Sequence, residues 1–325
     1  MAVAVLGAGS LGSLWAARLA AGGIDTRIFA RSASAVRAGR LRIHVSGPAA
    51  PPLSSEVCAH ATSAAGPADV DVLLVATKAC DAPGALSSVS KRLAPGAAIV
   101  ILCNGALALA ERLQTPPRSS LLVATTTHGA WRRGSLSQRG AAVEVVHAGF
   151  GDTWLGPLSG DTCDEEAISK AEAAFRAAGL GATLEDGLET EERLWLKLAA
   201  NAVLNPLTAL WNLRNGEVLS RADGRSKASG ICRELAALAI ERARGSAQPR
   251  ATPDAATLEE FVHACAKANA LNWSSMHQDL AAGRQTEVDF LNGWVARELE
   301  SHGLSGAINA RLAESVKEAE RLAPR

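Results

Sequence analysis

Met1 to Leu6 (MAVAVL) runs directly into Gly7-Ala8-Gly9-Ser10-Leu11-Gly12, a G-x-G-x-x-G pattern. Leu14 to Ala20 follows with helix-forming composition, and Gly22-Gly23 stops it. A buried strand, a glycine turn and a helix in that order leave few folds open. The first Gly permits a tight turn, the second lets backbone approach a pyrophosphate, and the third lets helix pack on strand. The first N–H groups of the helix and its positive dipole end then face the phosphates. This opening predicts a Rossmann-type α/β dinucleotide-binding unit, with Gly7, Ala8, Gly9, Ser10, Leu11 and Gly12 as its phosphate loop.

The next strand bears on which dinucleotide. Thr26 to Ala30 reads as the second strand, and Arg31 stands at its end, with Ser32 and Ser34 following and no carboxylate close by. An acidic residue there would take a ribose 2′-hydroxyl, whereas an Arg accommodates a 2′-phosphate. NADP(H) is thus favoured over NAD(H); an Arg that merely caps the strand end is the plainer alternative.

Strands are expected at Leu41–Val45, Val70–Val75, Ala97–Leu102, Leu121–Ala124 and Ala142–Val146, with helices at Ala82–Leu93, Ala106–Leu113 and Glu165–Ala178. Continuous apolar runs such as VDVLLV and AAIVIL suit parallel strands covered on both faces. Beyond Glu189 the chain reads as helices only: Glu189–Trp211, Ala228–Ala243, Pro253–Ala281, Glu287–Ser301 and Ile308–Leu322. Thr286-x-x-Asp289 resembles a capping arrangement at the start of the fourth, and His302-Gly303 marks its end. The expected organisation is a doubly wound α/β nucleotide domain over 1–187 and an all-α substrate domain over 188–325.

Lys plus Arg equals Asp plus Glu at 33 each, which gives no electrostatic reason for a nucleic-acid or membrane partner. No apolar run approaches the ~18 residues of a spanning helix. The chain opens on a core strand, so no leader is expected. The six cysteines are dispersed and read as reduced core residues of a cytoplasmic protein. The seven histidines show no metal-ligand spacing, so no metal is expected.

Chemistry is concentrated in Leu194 to Asn205, a helix that is apolar nearly all round except for Lys197, Asn201 and Asn205 at i, i+4 and i+8. A buried Lys is driven toward a pKa useful for proton transfer, and two amides on the same face suit a hydroxyl or carboxylate. The bland alternative is a Lys that snorkels out, or pairs with a carboxylate, while the Asn residues mend a helix bent near Pro206. A second polar cluster, Asn272 to Met276, falls toward the end of the expected third helix, with Asn272 and Ser275 on one face. Lys78 and Asn104 follow predicted strand ends, where open α/β sheets hold their ligands. Asn104-Gly105 also reads as an ordinary turn, and Glu287 as a partner of a helix dipole.

These segments together resemble the ketopantoate reductase (2-dehydropantoate 2-reductase) family. The carriers are the glycine loop, Lys78-Ala79, Cys103-Asn104-Gly105, Thr125 to Ala130, Glu192 to Asn201, Asn205 to Asn212, Asn215-Gly216-Glu217, Ser274 to Asp279 and Thr286 to Gly293. The resemblance runs nearly end to end, and the Lys helix and the T-E-x-D-x-x-N-G segment are its most specific parts. It implies NADPH-dependent reduction of the 2-keto group of ketopantoate to (R)-pantoate, on the way to pantothenate and coenzyme A. By the same resemblance the glycine loop, Arg31, Lys78 and Ala130 contact NADP(H), and Asn104 lies where nicotinamide and substrate meet. Lys197 is the general acid, and Asn201, Asn205, Asn215, Asn272 and Ser275 hold the substrate. Glu287 reaches the nicotinamide ribose. Asp81, where the family often has Gln near the cofactor, and Leu107 differ from the family's usual residues; both are read as cleft-wall positions that bear on the exact substrate and leave the general-acid and cofactor assignments untouched. Reduction of another branched 2-keto acid and a non-catalytic NADP(H) sensor stay open as rivals, and so does a homodimer.

Overall fold

A computed structural model describes residues 1–31, 39–133, 142–158 and 163–323. It forms two compact units, Met1–Thr190 and Glu191–Arg325. The first is α/β and the second helical.

In the first unit β1 (Ala2–Leu6), β2 (Asp25–Ala30), β3 (Arg40–Ser46), β4 (Leu53–Ala61), β5 (Val70–Val75), β6 (Leu93–Ile101), β7 (Ser120–Thr126), β8 (Gly129–Arg133), β9 (Val143–Gly149), β10 (Thr153–Pro157) and β11 (Thr183–Leu184) share one sheet. Its order is β11-β10-β7-β6-β5-β1-β2-β4-β3-β9-β8. β1 lies between β2 and β5, parallel to both, so the chain reverses its direction of travel across the sheet there. In open α/β sheets such a reversal marks the ligand crevice. Val3 to Leu6 and Val72 to Val75 are fully buried, as strands covered on both faces should be. One cover is made by α1 (Ser10–Ala21), whose Trp15 ring lies 4.4 Å from Phe175 of a later helix, Glu165–Ala178.

Four strands escape the sequence reading. β4 follows the Pro48–Pro52 turn as the antiparallel partner of β3, with Ser55, Val57 and Ala59 buried and Ser54 and Glu56 exposed. β8, β10 and β11 have two to five residues and take their strand character from sheet partners. The 82–93 helix also divides, into α2 (Ala82–Val89) and a 3-10 turn, because Leu93 already belongs to β6. A short α3 (Ala106–Ala110) and α4 (Glu165–Ala178) complete the unit's described helices.

The second unit begins within α5 (Gly187–Trp211) and continues with α6 (Asn215–Val218), α7 (Ala222–Arg244), α8 (Ala255–Ala268), α9 (Ser275–Ala281), α10 (Asn292–Ser301) and α11 (Ala307–Leu322). Two expectations are corrected. The single helix over 253–281 is broken between Ala268 and Ser275: Asn269 ends α8, and the Ser274 hydroxyl accepts the His277 N–H at 3.0 Å to start α9. Asn272 therefore lies in the connection and does not share a helical face with Ser275. The 287–301 helix divides into a 3-10 turn, Val288–Phe290, and α10, with non-helical Leu291 between them. Thr286 accepts from Val288 and donates its N–H to Glu320 at 2.7 Å, so it forms no capping box with Asp289. No helix among the described residues is long and apolar enough to cross a membrane.

Candidate active site

The glycine loop shows which of its glycines the fold itself demands. Gly7 has φ 110°, and a Cβ there would meet the Ala76 carbonyl oxygen at 2.9 Å. A Cβ on Gly12 would lie 2.1 Å from the Gly7 carbonyl oxygen. At Gly9, by contrast, the nearest protein atom to such a Cβ is 3.9 Å away. The chain thus excludes side chains at the first and third positions, while the second glycine keeps space open outside the fold. Gly9 is also the N-cap of α1 and supplies no side-chain cap, so the first N–H groups of that helix face outward.

Around the loop stand the ends of neighbouring strands. Gly7 N–H donates to Phe29 of β2 at 2.9 Å, Ala76 N–H to Leu6 at 2.9 Å, and Leu102 N–H to Val75 at 2.9 Å. Arg31 directly follows β2, and Lys78 and Asn104 stand three residues beyond the ends of β5 and β6, so all three lie off the loop's edge of the sheet. Gly105 sits at φ 69° and opens α3, so Asn104-Gly105 is a turn as well as a candidate site. Arg31 is exposed and forms a two-pronged ion pair with Asp81, at 2.8 and 3.0 Å. Asp81 thus grips a cofactor candidate and bears on that assignment, which corrects its reading as a position that leaves the cofactor residues untouched. Leu107 is buried in α3 and packs as core.

Arg132 of β8 is a residue the sequence reading passed over. Its guanidinium donates to the Ala8 carbonyl at 2.8 Å, across 124 positions of chain. Only sheet pairing brings it there, although its place two residues after Ala130 was a usable hint. The Thr125 to Ala130 segment is held by a histidine pair. His128 accepts the Gly151 N–H on Nδ1 at 3.1 Å, so its Nε2 carries the proton and donates to Leu180 O at 2.8 Å. His147 Nε2 then donates to His128 Nδ1 at 3.1 Å. Burial pushes both imidazoles down, His147 to about 4, with the neighbouring His128 and Arg18 adding to the effect there.

In the second unit Lys197, Asn201 and Asn205 line one side of α5, the first two half-buried and Asn205 buried. Pro206 lies inside this helix, lacks an N–H and so orphans the Ala202 carbonyl four residues earlier. Asn292, fully buried at the start of α10, donates to that carbonyl at 2.9 Å. Asn292 also donates to Asn309 at 2.8 Å, and Asn309 to Glu234 at 2.7 Å. Glu234 in turn accepts the N–H groups of Ile308 and Asn309 at the head of α11. The repair of α5 thus comes from the T-E-x-D-x-x-N-G segment, and neither Asn201 nor Asn205 is needed for it. Lys197 is close enough to Cys265 of α8 for its charge to pull the thiol down against the larger upward push of burial.

The remaining candidates gather beside this helix. Thr208 bonds back to Leu204 O at 2.7 Å, and its hydroxyl is 2.6 Å from that of Ser274, which ties the Asn205 turn to the start of α9. Asn215 N–H donates to Asn272 O at 3.0 Å. The Asn215 side-chain oxygen is buried with no protein partner. Trp273 of the expected polar cluster, with Arg214 and His277, which the sequence reading passed over, packs along the Asn272–Ser275 segment. The indole has the Arg214 guanidinium 5.0 Å from its ring centre and the His277 ring stacked on it at 4.1 Å. Glu287 directly precedes the 3-10 turn and is five residues before Asn292, so its segment is anchored to α5. Gly7 to Gly12, Arg31, Lys78, Asn104 and Ala130 fall in the first unit; Lys197, Asn201, Asn205, Asn215, Asn272, Ser275 and Glu287 fall in the second.

Comparison with known proteins covers both units. Residues 3–160 match the family model described as "Ketopantoate reductase PanE/ApbA", and 189–320 match "Ketopantoate reductase PanE/ApbA C terminal". A 2-dehydropantoate 2-reductase of Vibrio cholerae is 30% identical over 99% of this chain and 98% of its own. One from Archaeoglobus fulgidus is 32% identical over 97% of this chain and 96% of its own. Among solved structures, D-mandelate dehydrogenase with NADH and anilino(oxo)acetate has a TM-score of 0.84 at 20% identity, covering 99% of each chain. A PanE/ApbA family ketopantoate reductase from Ralstonia eutropha has a TM-score of 0.78 at 24% identity, again over 99% of each chain. The structural likenesses speak to the fold, and the full-length sequence matches go further: the chain belongs to the ketopantoate reductase family.

Proposed function

We propose that this protein reduces the 2-keto group of ketopantoate to (R)-pantoate with NADPH. The observation that carries the reading is the Lys197-Asn201-Asn205 stripe on one side of α5, inside a family match that spans both units. NADPH fits the residues present: Gly9 leaves room for a pyrophosphate, the outward N–H groups of α1 suit its charge, and Arg31 and Lys78 are cations at the same sheet edge. When bound, this cofactor supplies the hydride. The first unit, 1–187 in the sequence reading, holds the nucleotide, with Ala130 on the strand that carries Arg132 and Asn104 toward the nicotinamide end.

The second unit supplies binding and the proton. Lys197 Nζ gives a proton to the substrate's C2 oxygen as negative charge develops on it. Asn201 and Asn205 orient the carbonyl and carboxylate from the same side of α5. The unpartnered Asn215 oxygen is an acceptor for a substrate hydroxyl, with Asn272 and Ser275 completing the carboxylate's donors. Glu287 takes a ribose hydroxyl of the cofactor. The motive for a different keto acid weakens, since Leu107 packs as core and Asp81 pairs with Arg31.

The test is NADPH oxidation by purified protein across ketopantoate, 2-oxoisovalerate and pyruvate, with NADH in parallel. Highest kcat/KM with ketopantoate and NADPH is expected. Preference for another keto acid moves the substrate and keeps the chemistry. Tight NADPH binding without any oxidation makes the chain a nucleotide sensor.

A further inference from the structure

Asp81 occupies the N-cap of α2, where a carboxylate ordinarily accepts an N–H from the first helical turn. Here it makes no such bond. It turns instead to Arg31 and grips both guanidinium prongs, at 3.0 and 2.8 Å. Arg31 is the residue argued above to meet the 2′-phosphate of NADPH, and its side chain is 74% exposed even when paired. A 2′-phosphate uses the same fork of donors that Asp81 already fills.

We infer that Asp81 is a cofactor-selectivity residue that holds down this enzyme's preference for NADPH over NADH. The inference rests on the nicotinamide dinucleotide reading of the glycine loop. Two effects act in the same direction. The carboxylate must release Arg31 before phosphate can take its place, and once displaced it remains a negative charge beside a second one. NADH, with a neutral 2′-hydroxyl, meets neither obstacle and finds an acceptor carboxylate nearby. Because the pair is exposed, its grip is modest and adjustable, so the protein uses NADPH while keeping NADH within reach.

Equilibrium titration of NADPH and NADH into the full-length protein, at one fixed ionic strength, tests this with Asp81→Asn and Asp81→Glu. Asp81→Asn should tighten NADPH roughly three- to fivefold, the scale of an exposed charge pair, and leave NADH equal or weaker. Asp81→Glu keeps the charge and should stay near the unmodified ratio of the two dissociation constants. If Asp81→Asn leaves that ratio unchanged, or weakens NADPH, the carboxylate is a bystander or a support for Arg31, and the inference falls while the nucleotide reading stands. If the unmodified protein binds neither nucleotide, the nucleotide reading fails, and this inference goes with it.

Discussion

The two units build their candidate sites from different material. In the first the site is mostly backbone: a turn whose Gly7 and Gly12 are forced by contacts under 3 Å, and a helix end with unfilled N–H groups. In the second it is side chains on α5, a helix that Pro206 would weaken and that Asn292 mends from 90 positions away. A backbone site is written in consecutive residues and can be recognised as a motif. A side-chain site depends on distant partners, so its residues show in the sequence while their support does not.

The contrast can be broken most severely at the glycines. Gly12→Ala puts a methyl against a backbone oxygen that cannot move aside, so both the fold of the first unit and nucleotide binding should be lost, as read by thermal melting and NADPH titration. Gly9→Ala should melt like the unmodified protein and still lose most of its NADPH affinity. Normal affinity in Gly9→Ala would mean that no pyrophosphate approaches there.

In the second unit the equivalent test is Asn292→Ala, which strands the Ala202 carbonyl and should cost about 1–3 kcal/mol of stability in denaturant melts. Pro206→Ala restores the missing N–H. In that background Asn292→Ala should cost distinctly less, and an undiminished cost would show that the repair is not what Asn292 does.

A pH dependence of the histidine pair tests the first unit again. The folded-state pKa of His147 is depressed from 6.5 to about 4, so the unfolded chain takes up its proton first as pH falls. The stability this neutral imidazole contributes is complete above pH 6.5 and is lost on acidification toward pH 4. His147→Gln should flatten that part of a melting-temperature profile, and an unchanged slope would assign acid loss to other groups.

How far the sequence could be read follows the same division. α4 appears at the expected Glu165–Ala178 because Asp164 caps its start and left-handed Gly179 ends it, both local signals. The Lys197 helix is equally plain from its apolar girdle. β4 is missed because its outward residues are polar and its pairing with β3 and β2 is set by the sheet. The break before Ser274 is missed because neither Gly nor Pro marks it; Asn269 and Ser274 were the available cues. The contacts of Arg132 and of the Arg31–Asp81 pair are not written locally, since each joins residues at least 50 positions apart; for Arg132 the one cue is its place two residues after Ala130.

In the proposed reaction the first unit binds the nucleotide and the second delivers the proton through Lys197. Lys197→Ala, assayed for turnover and for NADPH affinity in the same preparation, addresses both halves. A kcat at least ~10²-fold lower, with NADPH affinity essentially unchanged, is expected. Near-normal turnover, or a loss confined to NADPH binding, would contradict that reaction.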